Sequence, residues 1–436
     1  MMNDTKPKLN QIEKLKQLTF LDNFLGFRFL LKWLFICSIV GALSGTASAW
    51  FLMALNWATN FREQHVWIIA FLPLAGMLII FLYEKLNKEA SRGNNLIIEE
   101  IHQPKKKISL WMAPLIFIGT VATHLFGGSA GREGSAVQMG AALADETNSW
   151  LKLKKRDRRI LLMCGVSAGF ASLFGTPLAA TLFALEVFLI GAIVYEAILP
   201  CLLAAVVAYW VCNLWDPGHS HYIIQNIPDL NVLNILIAVL AGIVFGLTGR
   251  LFANTTHYIS SCFKQYIPNM YAQPVIGACM VICFLLIWGD TQYIGLGLDT
   301  IENAFHIQQP YYGFIIKILL TAITLGAGFK GGEVTPLFFI GATLGSALSG
   351  ILPLPIDLLS GMGFVAVFTA AANTPLACIL MGIELFGASS AVYIAISCVV
   401  AYLFSGHNGI YGSQKIGSAK HPFWIRQSGK NLSTFN

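Results

Sequence analysis

The sequence predicts an all-α polytopic membrane protein built from two inverted-topology repeats of tilted and broken helices. Two observations lead to this prediction. Of the 436 residues, 56% are hydrophobic and only 11% are charged, whereas a soluble domain carries about 25% charged residues. Motifs from the first half of the chain also recur in the same order in the second half. Such a duplication in a membrane protein commonly forms inverted repeats around a site near the bilayer midplane.

Apolar runs of spanning length occur along the chain, since a helix needs about 20 residues to cross the hydrocarbon core. These runs are Phe29–Leu55, Val66–Tyr83, Ile160–Val211 and Val232–Leu251. Two others, Ile315–Ala327 and Leu376–Phe386, are too short to cross. Short segments with glycine breaks predict interrupted helices that end inside the protein, because irregular backbone at membrane depth must be buried or line a cavity.

The distribution of Lys and Arg predicts the orientation of the chain. Basic clusters lie in three segments, which are residues 6–16, 85–107 and 152–159. We expect them on the cytoplasmic side of a multi-pass protein of the cell inner membrane. Asp216–Asn231 contains His219 and His221 but no Lys or Arg, so we expect it outside. The net charge of +6 is then a topology signal, and no nucleic-acid partner is expected.

These signals divide the chain into five parts. They are a cytoplasmic N-terminal segment (1–26), a first membrane repeat (27–213), an extracytoplasmic linker (214–231), a second membrane repeat (232–412) and a cytoplasmic C-terminal tail (413–436). The nine cysteines are scattered without a CxxC pair, so neither a metal site nor a disulfide framework is expected. No cofactor or nucleophile motif supports the alternative of a membrane-embedded enzyme or sensor.

The duplication is clearest in two pairs of motifs. Thr176–Glu186 reads T-P-L-A-A-T-L-F-A-L-E and Thr374–Glu384 reads T-P-L-A-C-I-L-M-G-I-E, at an offset of 374 − 176 = 198 positions. G-R-E-G at Gly131–Gly134 matches G-G-E-V at Gly331–Val334. An alternative is that TPLA is only a common way to open a membrane helix, with Pro in its first turn. The matching glutamates at the ends of the TPLA helices predict a duplicated structural role.

Glycine-rich or polar breaks before apolar segments predict sites for an anion. The free N–H groups and positive dipole end of a helix N-terminus attract an anion without a full counter-charge. Three such breaks are Gly93–Asn95, Gly131–Gly134 and Gly328–Thr335, and a fourth, Ser405–Gly412, follows the last apolar stretch. We expect them to form one anion site.

Glu133 is the first candidate for a functional acid, because a carboxylate at such a helix start occupies an anion position when ionised and vacates it when protonated. The alternative is that Glu133 caps its helix or pairs with Arg132. Glu333 and Thr335 are the candidates in the second half, although Glu333 as a capping carboxylate is nearly as well supported. The candidate anion contacts are Asn94, Gly131, Arg132, Gly134, Val334 and Tyr411.

G-R-E-G-S-A-V-Q-M-G from Gly131, G-G-E-V-T-P-L-F from Gly331 and the region of Tyr411 resemble the CLC family of anion channels and anion/proton exchangers. The resemblance covers roughly residues 27–414. It implies the CLC fold and a homodimer with one pathway per subunit. It also implies that Glu133 is the external gate and that Tyr411 coordinates the central anion.

Departures from the family pattern resemble its fluoride/proton antiporter branch. Asn94 replaces the usual serine of the family, Val187 stands where an inner proton-transfer glutamate is common, and Glu333 is added. The branch often has methionine at the position of Asn94. The resemblance implies roles in transport for Glu133, Glu333 and Thr335, with cytoplasmic fluoride leaving as protons enter.

Fluoride is small, strongly hydrated and the anion of a weak acid, so a protonated carboxyl is a good hydrogen-bond donor to it. Selectivity depends on site geometry that a sequence does not show. A chloride/proton exchanger or passive chloride channel of the same fold is therefore the alternative.

Overall fold

The computed structural model describes residues 6–218, 222–422 and 429–434, with side chains for residues 26–218, 222–422 and 429–433. His219 and His221 of the predicted linker lie outside the described residues. The first half contains α1 (Lys6–Gln64), α2 (Leu72–Leu86), α3 (Asn94–His102), α4 (Met112–Leu125), α5 (Glu133–Leu151), α6 (Lys155–Phe174), α7 (Pro177–Glu186), β1 (Leu189–Ile190) and α8 (Ile198–Leu214).

The second half contains α9 (Val232–Tyr266), α10 (Ala272–Trp288), α11 (Leu298–Ala304), α12 (Gly313–Gly326), α13 (Val334–Leu348), α14 (Ile356–Ala372), α15 (Pro375–Phe386), α16 (Ala391–Phe404) and β2 (Lys415–Ile416). Short 3₁₀ turns lie at Val66–Phe71, Lys88–Arg92, Tyr195–Ala197, Ala388–Ser390 and Leu432–Thr434. The predicted all-α class is confirmed, and the two strands form only a two-residue parallel pair.

Among the residues that the structure describes, four helical segments are long and apolar enough to span a membrane. They are Gly26–Gln64, Val66–Leu86, Tyr195–Leu214 and Val232–Tyr266. The apolar run Ile160–Val211 is not one element, since it is divided among α6, α7 and α8. The two short runs do form short helices, α12 and α15, as predicted. The position between residues 26 and 27 lies within the continuous helix α1, and all the domain boundaries stay predictions.

The same kind of break interrupts the helices of both halves. In the first half Gly175 follows the last residue of α6 with a left-handed φ of 73°, and Pro177 opens α7. In the second half Asn373 follows the last residue of α14 with φ 61°, and Pro375 opens α15. A left-handed residue ends a helix by turning the chain, and proline is suited to a first helical turn because its missing N–H would be unpaired there. Each half therefore turns back at a corresponding point.

Helices α7 and α15 pack against each other in opposite directions and cap each other. The Glu186 carboxylate at the end of α7 accepts the N–H groups of Leu376 (3.3 Å) and Ala377 (3.0 Å) in the first turn of α15. The Glu384 carboxylate accepts those of Leu178 (3.0 Å) and Ala179 (2.8 Å) in α7. This reciprocal contact is the geometry of two inverted repeats, and it gives both glutamates the structural role expected from their matching positions.

Aromatic side chains from both halves fill the centre of the protein. Phe170 of α6 stacks on Phe183 of α7 with ring centroids 4.4 Å apart, and Phe338 of α13 stacks on Phe364 of α14 at 3.9 Å. Phe368 contacts rings of both pairs. The dense packing of large rings fixes the starts of the short helices, because a close-packed interior resists displacement.

Candidate functional site

The loops before α5 and α13 lie side by side. The N–H of Gly131 donates to the carbonyl of Gly332, and the N–H of Gly332 donates to the carbonyl of Gly131, both at 2.6 Å. This single antiparallel bridge joins the two halves at matching motifs. Both helices begin within two residues of the bridge, so their positive ends meet in the interior of the protein.

The Glu133 carboxylate is buried and is bound by the other repeat. Its Oε2 accepts the backbone N–H of Thr335 at 2.9 Å and the Thr335 hydroxyl at 2.5 Å. The N–H of Arg132 also donates to Oε2 at 3.2 Å, and the Arg132 Nε lies 3.6 Å from Oε1. Only 1% of the Glu133 surface is exposed. The alternative pairing with Arg132 is present, but two of the three hydrogen bonds to the carboxylate come from Thr335.

This position is one that a bound anion would take. Thr335 is the second residue of α13, and N–H groups in the first turn of a helix have no partner within the helix. A negative group is stabilised there by the N–H donors and by the helix dipole. Glu133 therefore fills an anion-binding position at the N-terminus of a helix to which it does not belong. The simple alternative, a cap for its own helix, does not describe this contact.

Glu333 has different surroundings from Glu133. It is the N-cap residue of α13, but its side chain makes no capping hydrogen bond. Its carboxylate is half-buried and has no hydrogen-bond or ion-pair partner in the part of the chain that the structure describes. Val334, the first residue of the helix, is 1% exposed. The carboxyl of Glu333 is thus available to a proton or to an anion next to it.

Asn94 and Gly134 bring a third break to the same place. Helix α3 begins at Asn94. A methyl group added to Gly134 would lie 3.0 Å from the Asn94 amide nitrogen and 3.3 Å from the Cα of Gly332. Both distances are shorter than most Cβ contacts, so the absence of a side chain at Gly134 favours the close approach of these three segments. Because the Asn94 Oδ1 is buried without a hydrogen-bond partner among the described residues, its amide is a polar group with unused bonding capacity.

Tyr411 meets Asn94 across a small inner cavity. The cavity has a volume of about 10 Å³ and is also lined by Val137, Phe183 and Val187. A second cavity, of about 20 Å³, is lined by Arg132, Glu133 and Thr335 together with apolar residues and Tyr222. A volume of about 10–15 Å³ holds one water molecule. The structure thus brings all four predicted breaks together around spaces for very small occupants.

Two residues near this site, Gln414 and Asn95, were not among the predicted anion contacts, although Asn95 belongs to the predicted break Gly93–Asn95. Gln414 is fully buried, and its Nε2 donates to the carbonyls of Val187 and Ala372, both at 2.8 Å. Asn95 accepts the N–H of Ser413 through its Oδ1 at 3.1 Å. A polar side chain close to a predicted ligand was the only available signal for either residue, because their partners lie far away in sequence.

Comparisons with known proteins agree with this architecture. Residues 75–406 match the family model of the voltage gated chloride channel. A chloride/fluoride channel protein from Pseudomonas syringae pv. tomato is 48% identical over 399 residues, which cover 90% of this chain and 88% of the relative. A crystal structure of a CLC-type fluoride/proton antiporter aligns with a TM-score of 0.86 and 37% identity, over 89% of this chain and 98% of that chain.

A slow cyanobacterial chloride/proton antiporter shares the fold, with a TM-score of 0.74 and 21% identity over 86% of this chain and 94% of that chain. The family match and the 48% identical relative each cover most of this chain. The chain therefore belongs to the voltage-gated chloride channel, or CLC, family of integral membrane channels and transporters, which are not enzymes.

Proposed function

We propose that this protein is a fluoride/proton antiporter that exports cytoplasmic fluoride in exchange for protons moving inward, and so confers fluoride resistance. The observation that carries the proposal is the position of Glu133. A protonatable carboxylate fills an anion position at the N-terminus of α13 and is bound there by Thr335. Protonation removes the charge that the helix end attracts.

This arrangement couples the two ions through one group. Ionised Glu133 excludes an anion from the N–H of Thr335, because both use the same donor. Once protonated, the side chain leaves and an anion takes its place. The proton and the anion then occupy the site in alternation, and alternating occupancy by opposite ligands gives exchange. The second cavity, of about 20 Å³ and lined by Arg132 and Glu133, is the proposed route by which external protons reach the Glu133 carboxyl.

The dimensions and donors of the inner cavity favour fluoride. Fluoride is about as large as a water molecule, and the cavity between Asn94 and Tyr411, about 10 Å³, is of the size that holds one water. The amide of Asn94 and the phenol of Tyr411 are donors suited to a strongly hydrated ion. Val187 supplies no inner carboxyl, so we assign a second proton-binding role to Glu333. The name of the aligned fluoride/proton antiporter structure supports fluoride as the substrate, and the name of the 48% identical relative gives both chloride and fluoride.

The proposal assigns roles to the remaining candidates. Glu133 is the gate, Glu333 binds a proton near the anion, and Thr335 holds the gate closed. The proposed anion contacts are Asn94, Gly131, Arg132, Gly134, Val334 and Tyr411. We further propose that the protein is a homodimer with one pathway per subunit, in the lipid of the cell inner membrane.

Flux measurements in proteoliposomes test the proposal. The purified protein is reconstituted in vesicles loaded with fluoride or with chloride, and anion efflux and proton uptake are recorded together with an ion-selective electrode and a pH electrode. We expect faster fluoride than chloride efflux, with fluoride efflux driving proton uptake. Equal rates for the two anions would instead support a chloride/proton exchanger, and fluoride efflux without proton uptake would support a passive channel.

A further inference from the structure

Tyr411 lies in a segment that is anchored on both sides. The N–H of Ile410, just before it, donates to the carbonyl of Ala371 at the end of α14 (2.9 Å), and the N–H of Gln414 donates to the carbonyl of Tyr411 (3.1 Å). The tyrosine itself is 5% exposed. Its position in the inner cavity therefore depends on how the turn at residues 411–414 is held.

Gln414 ties this turn to both repeats. Its Nε2 donates to the carbonyl of Val187, just after α7, and to that of Ala372, the last residue of α14. Its Oε1 accepts the Asn373 amide at 3.2 Å. A buried amide costs free energy unless its donors and acceptor are paired, and here both donors and the acceptor are used. Gln414 is thus a bridge between the two halves, three residues from Tyr411.

The C-terminal segment folds back onto the same turn. The N–H of Ser433 donates to the carbonyl of Gly412 at 2.9 Å, and that of Leu432 donates to the carbonyl of Gln414 at 3.0 Å. The Leu432 side chain is fully buried in a small cluster with Ile190 and Ile416, separate from the main core. Residues 429–434, which we call the clasp, therefore contribute hydrogen bonds to the turn and pack against the strand pair formed by β1 and β2.

The other side of the turn is attached to the helix that carries Asn94. The N–H of Ser413 donates to the Asn95 Oδ1 at 3.1 Å, and the Ser413 hydroxyl donates to the Glu99 carboxylate at 3.0 Å. Both acceptors belong to α3. The turn after Tyr411 thus lies between α3 on one side and the clasp on the other, and the relative position of Asn94 and Tyr411 depends on it.

We propose that the clasp is a positioning element for the anion path, and that Gln414 is the positioning residue through which it fixes Tyr411 opposite Asn94. This inference rests on the proposed function, because it assigns Tyr411 to the anion. If the clasp is loosened, the carbonyls of Gly412 and Gln414 lose their donors and Tyr411 is no longer held in the inner cavity. Fluoride binding then weakens, while the gate at Glu133 keeps its own contacts.

A matched pair of substitutions at Ser433 tests the clasp. Ser433 is exposed and contributes to the turn through its backbone N–H, which proline lacks. We expect Ser433→Pro to raise the fluoride KM in proteoliposome efflux by roughly twofold to tenfold, the effect of losing about one hydrogen bond. The maximal rate and the proton-to-fluoride ratio should stay close to those of the wild type. Ser433→Ala, which keeps the N–H, should match the wild type throughout.

Leu432 gives an independent test that does not involve proline. Leu432→Ala should raise the fluoride KM and speed backbone hydrogen exchange at residues 410–416, and Leu432→Met, which conserves volume, should restore both. If Ser433→Pro fails to fold, the comparison of Leu432→Ala with Leu432→Met tests the role of the clasp by itself. Faster exchange with an unchanged KM would reduce the clasp to a structural role and overturn the proposal. Absence of fluoride/proton exchange in the wild type would instead contradict the proposed function.

Discussion

The two glutamates that precede matching helices have opposite surroundings. Glu133 accepts three hydrogen bonds, and two of them come from Thr335 in the other repeat. Glu333 has no hydrogen-bond or ion-pair partner within the described ranges, although it directly precedes α13, whose first turn binds Glu133. The duplicated motif thus holds one carboxylate in place and leaves the other unpaired.

The glutamates of the TPLA helices, α7 and α15, have equivalent contacts, unlike Glu133 and Glu333. Glu186 and Glu384 each accept two N–H groups from the first turn of the opposite helix. The contacts of the two halves are therefore symmetric where α7 and α15 cap each other, and asymmetric at the helix starts where an ion is expected to pass. This difference predicts that substitutions at Glu133 and Glu333 affect transport, and that those at Glu186 and Glu384 affect stability.

The largest expected effect is that of Glu133→Gln. Glutamine has nearly the same size as glutamate and still accepts hydrogen bonds, but its side-chain amide does not bind and release a proton near neutral pH. We expect fluoride-driven proton uptake to fall to the background of protein-free vesicles, measured with a pH electrode. Glu302→Gln, at an exposed acid of α11, is the control and should exchange like the wild type. Unchanged coupling in Glu133→Gln would remove Glu133 from its role as gate.

Glu333→Gln separates a transport role from a structural one. The carboxylate has no partner among the described residues, so its replacement should leave the midpoint of thermal unfolding in detergent unchanged. Loss of a charged or hydrogen-bonding contact to the transported ions costs about 1.5–3 kcal/mol, which is roughly a tenfold to hundredfold loss of transport rate. Poor expression with normal transport per folded molecule would show that Glu333 is structural.

Thr335→Val tests how the gate is held. Valine keeps the backbone N–H that donates to Glu133 but removes the hydroxyl, whose hydrogen bond to a carboxylate contributes about 1.5–3 kcal/mol. We expect the ionised gate to be displaced more easily by fluoride, so that fewer protons move per fluoride. The measurement is the ratio of the two fluxes in the same vesicles. Thr335→Ser retains the hydroxyl and should have the wild-type ratio. An unchanged ratio in Thr335→Val would show that the backbone N–H of residue 335 is sufficient to keep the Glu133 carboxylate in place.

Local signals predicted the fold well, but the long-range contacts of the site were not readable from the sequence. The openings of α7 and α15 at the TPLA motifs could be predicted, because proline is suited to the first turn of a helix. The breaks at Gly175 and Asn373 before them were not predicted, and the run Ile160–Val211 was predicted as one segment. The bond between Glu133 and Thr335 joins residues 202 positions apart. The duplication placed both residues at helix starts, but only packing determines which carboxylate reaches across the bridge. The partners of Gln414 depend on packing in the same way.

The smallest expected effect concerns Glu186 and Glu384. Alanine at either position leaves two N–H groups in the first turn of the opposite helix without their carboxylate. Loss of a helix cap costs about 0.5–2 kcal/mol, and Glu186→Ala should lie toward the upper end because Glu186 is only 6% exposed while Glu384 is half-buried. The two losses should add to within about 0.5 kcal/mol in the double variant, since the caps share no partner.

Thermal unfolding of the purified variants in detergent measures these costs, and flux assays at a temperature where each variant is folded measure transport. We expect lower unfolding midpoints with a normal proton-to-fluoride ratio, because both carboxylates bind backbone groups and neither lines the two small cavities. Glutamine at either position keeps one acceptor and should lie between alanine and the wild type. Loss of proton coupling in Glu186→Ala at unchanged stability would place Glu186 on the proton route. The glutamates of α7 and α15 would then make the same contacts but have different roles.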